Sequence, residues 1–94
     1  MSGALKRNKM PYDIEFTRIA AKDFEKLPDK KTKEKFASAI EESAANPLVG
    51  KPLQGELKGC FSYRIGDYRM IYSFSSSKNK LTILKIDHRR QVYR

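Results

Sequence analysis

Residues 59–72 read Gly-Cys-Phe-Ser-Tyr-Arg-Ile-Gly-Asp-Tyr-Arg-Met-Ile-Tyr, and their pattern decides the fold. Phe61, Tyr63 and Ile65 alternate with Ser62 and Arg64. After Gly66-Asp67, the residues Tyr68, Met70, Tyr72 and Phe74 alternate with Arg69, Ile71 and Ser73. A period of two marks strands with one face turned to a core. Gly66-Asp67 is a two-residue turn, and glycine supplies the positive φ that such a turn demands. The stretch therefore predicts a hairpin with Ile65 opposite Tyr68 and Arg64 opposite Arg69. Opposed residues of an antiparallel pair have Cβ atoms about 4.5 to 5.5 Å apart, where like charges repel unless an anion sits between them. Charges on strands are ordinarily solvated on an open face, so the rest of the chain has to decide which applies.

Downstream of the hairpin, Ser75 to Lys80 is a polar turn, and Leu81 to Ile86 is a strand apolar on both faces, as a central strand should be. Upstream, Pro47 to Gly59 is a connector rich in glycine and proline, with Leu48, Leu53 and Leu57 expected to pin it to the core. Loops of this length often serve a site. Before it lie two helices. Thr17 caps the first, with Ile19, Ala20, Phe24 and Leu27 on one side and Pro28 stopping it. Asp29 caps the second, with Phe36, Ala37, Ile40 and Ala44 as its apolar stripe and Asn46-Pro47 at its end. The mixed charges on its outer side read as a solvated face. Tyr12 to Phe16 alternates apolar and acidic residues, a short strand with one buried face. Residues 1–10 read as a flexible basic tail and residues 11–94 as the folded domain. The expected class is α+β, in the order β-α-α-β-β-β, with an antiparallel sheet covered on one face by a helical hairpin.

The 94 residues suit one small domain with a single modest core. No apolar run approaches the roughly 18 to 20 residues a membrane span needs, and no signal-peptide pattern follows the basic N-terminus. A single cysteine, Cys60, excludes an intramolecular disulfide and suits a reducing cytoplasm, the expected location. Charge is more telling. Of the net +9, residues 58–94 hold +7, with nine Lys or Arg against two acids, whereas residues 1–57 hold eleven against nine. Such segregation is an electrostatic footprint for a polyanion, with nucleic acid first and an acidic protein second.

Pairing the last two strands with Ser75 opposite Lys80 puts Arg69 opposite Ile86 and Asp67 opposite His88. In that register His88 shares a face with Arg64 and Arg69, and a one-residue slip would put Arg89 there instead. Two neighbouring arginines disfavour a further positive charge, so the imidazole is expected to be neutral and able to accept a proton. Cleaving RNA by its own 2′-hydroxyl needs a base near that oxygen, charge stabilisation at the phosphate and a proton donor for the leaving 5′-oxygen. Arg64 and Arg69 are candidates for the phosphate clamp and His88 for proton exchange. Tyr93 is a candidate for stacking on a base or donating its phenol proton. One histidine, one cysteine and no clustered carboxylates on this face argue against a metal site, and no cofactor is expected.

Two blocks, Tyr-Arg-Ile-Gly-Asp-Tyr-Arg at 63–69 and His-Arg-Arg-Gln-Val-Tyr at 88–93, follow a connector that ends Leu57-Lys58-Gly59. With the strand–helix–helix order before them, they resemble the RelE/ParE superfamily of toxins from bacterial and archaeal toxin–antitoxin pairs, over residues 11 to 94. The resemblance implies a metal-independent endoribonuclease of the RelE branch, which cuts messenger RNA in the A site of the 70S ribosome through the 2′-hydroxyl. It also implies a cognate acidic antitoxin that wraps across the basic face of a monomeric toxin, or displaces an element of it, within a hetero-oligomer. Arg64, Arg69, Arg89 and Tyr93 match the family's basic and tyrosine positions. Ser62 falls where some relatives have lysine, and His88 is expected to take over part of the proton transfer. Lys58, Ser62, Lys85 and Arg90 are expected to add RNA contacts. Two other readings stay open: a ParE-like inhibitor of DNA gyrase without nuclease activity, and a non-catalytic basic RNA-binding module.

Overall fold

Two side chains that accept hydrogen bonds from backbone amides set where the helices begin. The computed structural model describes residues 11–88. Thr17 Oγ1 accepts from the Ala20 amide at 3.0 Å and opens α1 (Arg18–Glu25). Asp29 Oδ1 accepts from the Thr32 amide at 2.8 Å and opens α2 (Lys30–Ala45). Each satisfies a donor that the first helical turn leaves without a partner. The amide bond holds the Asp29 carboxyl below its usual range.

Strand β1 (Asp13–Phe16) precedes α1, and β2 (Lys51–Pro52), β3 (Phe61–Ile65), β4 (Tyr68–Ser75) and β5 (Lys80–His88) follow α2. Short 3-10 turns at Pro47–Val49 and Gly55–Leu57 flank β2. The sheet runs β1-β5-β4-β3-β2. Its class is the expected α+β, and three of the four pairings are antiparallel. The fourth is not: β1 runs parallel to β5, with Asp13 opposite Lys80 and Phe16 opposite Ile83. A parallel neighbour requires a long connection, and here both helices together with β2, β3 and β4 lie between the two strands. The connector, read as loop, contributes the fifth strand at the far edge.

The hairpin register is the expected one, with Ile65 opposite Tyr68 and Arg64 opposite Arg69, and Gly66 has φ of 60°. Inward residues of the sheet, Met70, Tyr72, Leu81, Ile83 and Ile86, form the core with Ala20 and Leu27 around α1 and Phe36 and Ile40 of α2. Four sequence expectations are corrected. Ile19 is 63% exposed and Ala37 is exposed, so neither is core. Leu48 and Leu57 are 67% and 41% exposed and pin nothing. Strand β1 has no buried face, because all four of its residues are exposed. The fourth correction concerns the register of β5.

From Ser75–Lys80 to Tyr72–Ile83 the β4–β5 ladder follows the expected pairing. Then Ile71 faces Lys85, and Leu84 has no partner across the ladder. This bulge shifts everything beyond it by one residue, placing Asp87 opposite Arg69 and His88 opposite Tyr68. The bulge lies where β1 ends and α1 takes over the β5 edge. The Thr17 amide donates to the Ile83 carbonyl at 3.0 Å, and Thr17 Oγ1 donates to the Leu84 carbonyl at 2.7 Å. Asp23 Oδ2 accepts from the Ile86 amide at 3.0 Å. The helix thus satisfies strand groups that β1 is too short to reach.

Candidate nucleic-acid interface

Strand alternation puts Ser62 and Arg64 of β3, Arg69 and Ile71 of β4, and Lys85 and Asp87 of β5 on the sheet face opposite the helices. Arg64 and Arg69 are directly opposed. Arg64 is exposed, whereas Arg69 is half-buried, and its Nε is buried with no hydrogen-bond partner among the described residues. Asp87 lies across from Arg69, yet its carboxylate pairs with Lys85 Nζ at 3.4 Å. Among the described residues neither arginine forms an ion pair. A buried N–H without an acceptor is uncommon and calls for one. The register sets two like-charged side chains side by side on this face, where each repels the other.

His88 does not join them. The bulge turns it to the helix side, where its ring meets Tyr68 edge-on at 4.7 Å, and Tyr68 in turn meets Phe36 edge-on at 5.7 Å. The expected grouping of His88 with Arg64 and Arg69 is therefore corrected. Lys58 follows the second 3-10 turn, exposed and outside the strand ladders. Arg89, Arg90 and Tyr93 lie outside the described residues.

The neighbouring edge is built by a buried tyrosine. Tyr72, fully buried, donates its hydroxyl proton to the Pro47 carbonyl at 2.7 Å and accepts from the Gly50 amide at 2.9 Å. Burial pushes its phenol pKa up from 10.0. The clasp seats β2 on β3 with Lys51 opposite Ser62. Directly opposed residues share a face, so Lys51 joins Ser62 and Arg64. All three line a groove of about 310 Å³. Sequence reasoning missed Lys51, because a strand of two residues that contains proline has no periodicity to read. Along β3, Tyr63 donates to Glu42 Oε1 on α2. That bond, with burial second, raises the Tyr63 phenol pKa. It also ties α2 to the strand that carries Arg64.

Two helices on one face of a five-stranded sheet, with Arg64 and Arg69 opposed on the other, define a small basic α+β domain. A family model described as the ParE toxin of type II toxin–antitoxin systems (parDE) matches residues 14–93, and the chain belongs to that family, within the RelE/ParE superfamily of type II toxins. Toxin RelG of Mycobacterium tuberculosis (strain ATCC 25618 / H37Rv) is 41% identical over 86 residues, 90% of this chain and 99% of the relative. Toxin RelE of the same organism is 37% identical over 90 residues, 89% and 88% of the two chains. Among solved structures, a chain of the toxin–antitoxin complex RelBE2 from M. tuberculosis superimposes with a TM-score of 0.75 at 40% identity, covering 85% of this chain and 93% of that one. In the described residues no helix is long and apolar enough to cross a membrane.

Proposed function

We propose that this toxin is a ribosome-dependent messenger RNA endoribonuclease, neutralised by a cognate acidic antitoxin. The observation that carries the reading is the direct opposition of Arg64 and Arg69, neither of which forms an ion pair among the described residues. In the reaction, the 2′-oxygen attacks the adjacent phosphorus as its proton is removed. The bond to the 5′-oxygen breaks, and that oxygen takes up a proton. Negative charge grows on the non-bridging phosphate oxygens, where the two guanidiniums stabilise it in place of a metal ion. Ser62 and Lys85 on the same face hold the flanking backbone. Arg89 and Tyr93, matched by the family resemblance, are proposed to complete the charge stabilisation and to stack on or protonate the substrate. Lys58 and Arg90 extend the electrostatic field.

The nuclease reading rests also on the 37% and 41% identity to toxins named RelE and RelG. A second reading, inhibition of gyrase without cleavage, has the ParE family match in its favour. The deciding experiment expresses the chain under tight control and maps messenger RNA 5′ ends within minutes, beside Arg69→Ala. New ends confined to translated regions and absent in the variant are expected. Growth arrest with intact messages would replace the nuclease with the gyrase inhibitor.

A further inference from the structure

We infer that Lys51 is a further phosphate-contacting cation of this face, beside Arg64, Arg69 and Lys85, delivered to it by the Tyr72–Gly50 clasp. This rests on the RNA-binding reading above. The position is built rather than incidental. A Cβ at residue 50 would stand 2.6 Å from the Tyr72 hydroxyl and 2.8 Å from the Ser62 carbonyl, so only glycine lets the chain come this close to β3. On the other side of the two-residue strand, the Leu53 amide donates to the Cys60 carbonyl at 2.9 Å. Lys51 is thus fixed in register from both ends.

Its direct neighbour is Ser62, and Arg64 is the next outward residue along β3. Diagonal neighbours on one face are about 7 to 8 Å apart, within reach of two long side chains. Lys51, Arg64 and Arg69 therefore form a row across β2, β3 and β4. Lys51 is exposed, and among the described residues no carboxylate pairs with it. A polyanion laid along this row meets three cations and the short hydroxyl of Ser62, which leaves the Lys51 ammonium unobstructed above it. The competing account is that Lys51-Pro52 merely blunts an edge strand against pairing with other chains, a common use of both residue types.

Salt dependence separates the two. Each phosphate contact to single-stranded nucleic acid contributes about 0.7 to the slope of log affinity against log salt. Binding of a short single-stranded 2′-O-methyl RNA, which offers no 2′-hydroxyl to attack, is titrated over salt for the wild type, Lys51→Ala and Lys51→Ala/Ser62→Lys. The expected result is a slope shallower by about 0.7 in Lys51→Ala. Ser62→Lys should restore it by returning the charge to the same place from the opposing strand, with thermal stability unchanged throughout. An unchanged slope in Lys51→Ala, with increased self-association, would overturn the inference in favour of edge protection. A wild type that shows no salt-dependent RNA binding would overturn the RNA-binding reading itself, and this inference with it.

Discussion

Removing one oxygen atom, by Tyr72→Phe, tests how the edge strand β2 is held. The ring keeps its place in the core and its stack on Phe61 at 5.6 Å, so no cavity forms. What is lost is the bond donated to the Pro47 carbonyl and the bond accepted from the Gly50 amide. A hydrogen bond contributes about 1 kcal/mol net, and a buried group left without its partner costs about 1 to 3 kcal/mol. Pro47 is buried and Gly50 half-buried, so the two losses together should cost roughly 3 kcal/mol. For a domain of this size that lowers Tm by roughly 12 to 24 °C, leaving a folded protein if total stability lies in the usual range of about 5 to 15 kcal/mol. Urea or thermal denaturation measures the change, and hydrogen exchange should show faster opening confined to residues 47–53. The pH profile adds a second readout. The folded phenol titrates above its unfolded value of 10.0, so its contribution is complete below about pH 10 and is lost as pH rises through the folded pKa. The variant should therefore lose less stability than the wild type above pH 10. A cost below about 1 kcal/mol, with residues 47–53 exchanging as before, would show that this hydroxyl does not hold the edge strand.

Thr17→Ala should cost about 2 kcal/mol, about half from the helix cap and half from the bond to the Leu84 carbonyl at the bulge; denaturation midpoints check it, and Thr17→Ser should recover most of it. Asp29→Asn should leave neutral-pH stability nearly intact, because asparagine caps helices as well. The Asp29 carboxyl is held below its unfolded value of 3.8, so its stabilisation is present above that value and lost as pH falls through the folded pKa. Acid titration of stability should accordingly be flatter in the variant.

The parts of this molecule that were legible in the sequence depend on neighbours close in the chain. The Arg64–Arg69 pair follows from a two-residue turn, and the caps at Thr17 and Asp29 follow from the residues just after them. The Ser75–Lys80 pairing likewise needed only the polar turn between its strands. The bulge at Leu84 was hidden because Leu81, Ile83, Leu84 and Ile86 are all apolar, so either face looked plausible. In the structure the buried residues step from Leu81 to Ile83 and then by three to Ile86, a step that four apolar residues so close together do not reveal. That missed step carried His88 to the wrong face. Lys51 and the parallel placement of β1 were not legible at all. For β1 the partner lies near the far end of the chain, and for β2 it lies across an irregular loop that leaves no register to read in the sequence.

The pairing of β1 with β5 has a consequence for how the molecule comes into being. Contacts between the first strand and the last have high sequence separation, which slows folding, and they cannot form before Lys80–His88 exists. Helix α1 is held back too, since Thr17 and Asp23 find their partners at Ile83, Leu84 and Ile86 of that strand. Until then, Arg64 and Arg69 lie on strands that lack their neighbour β5. A toxin ordered in this way has no finished sheet around Arg64 and Arg69 until β5 has left the ribosome that translates it.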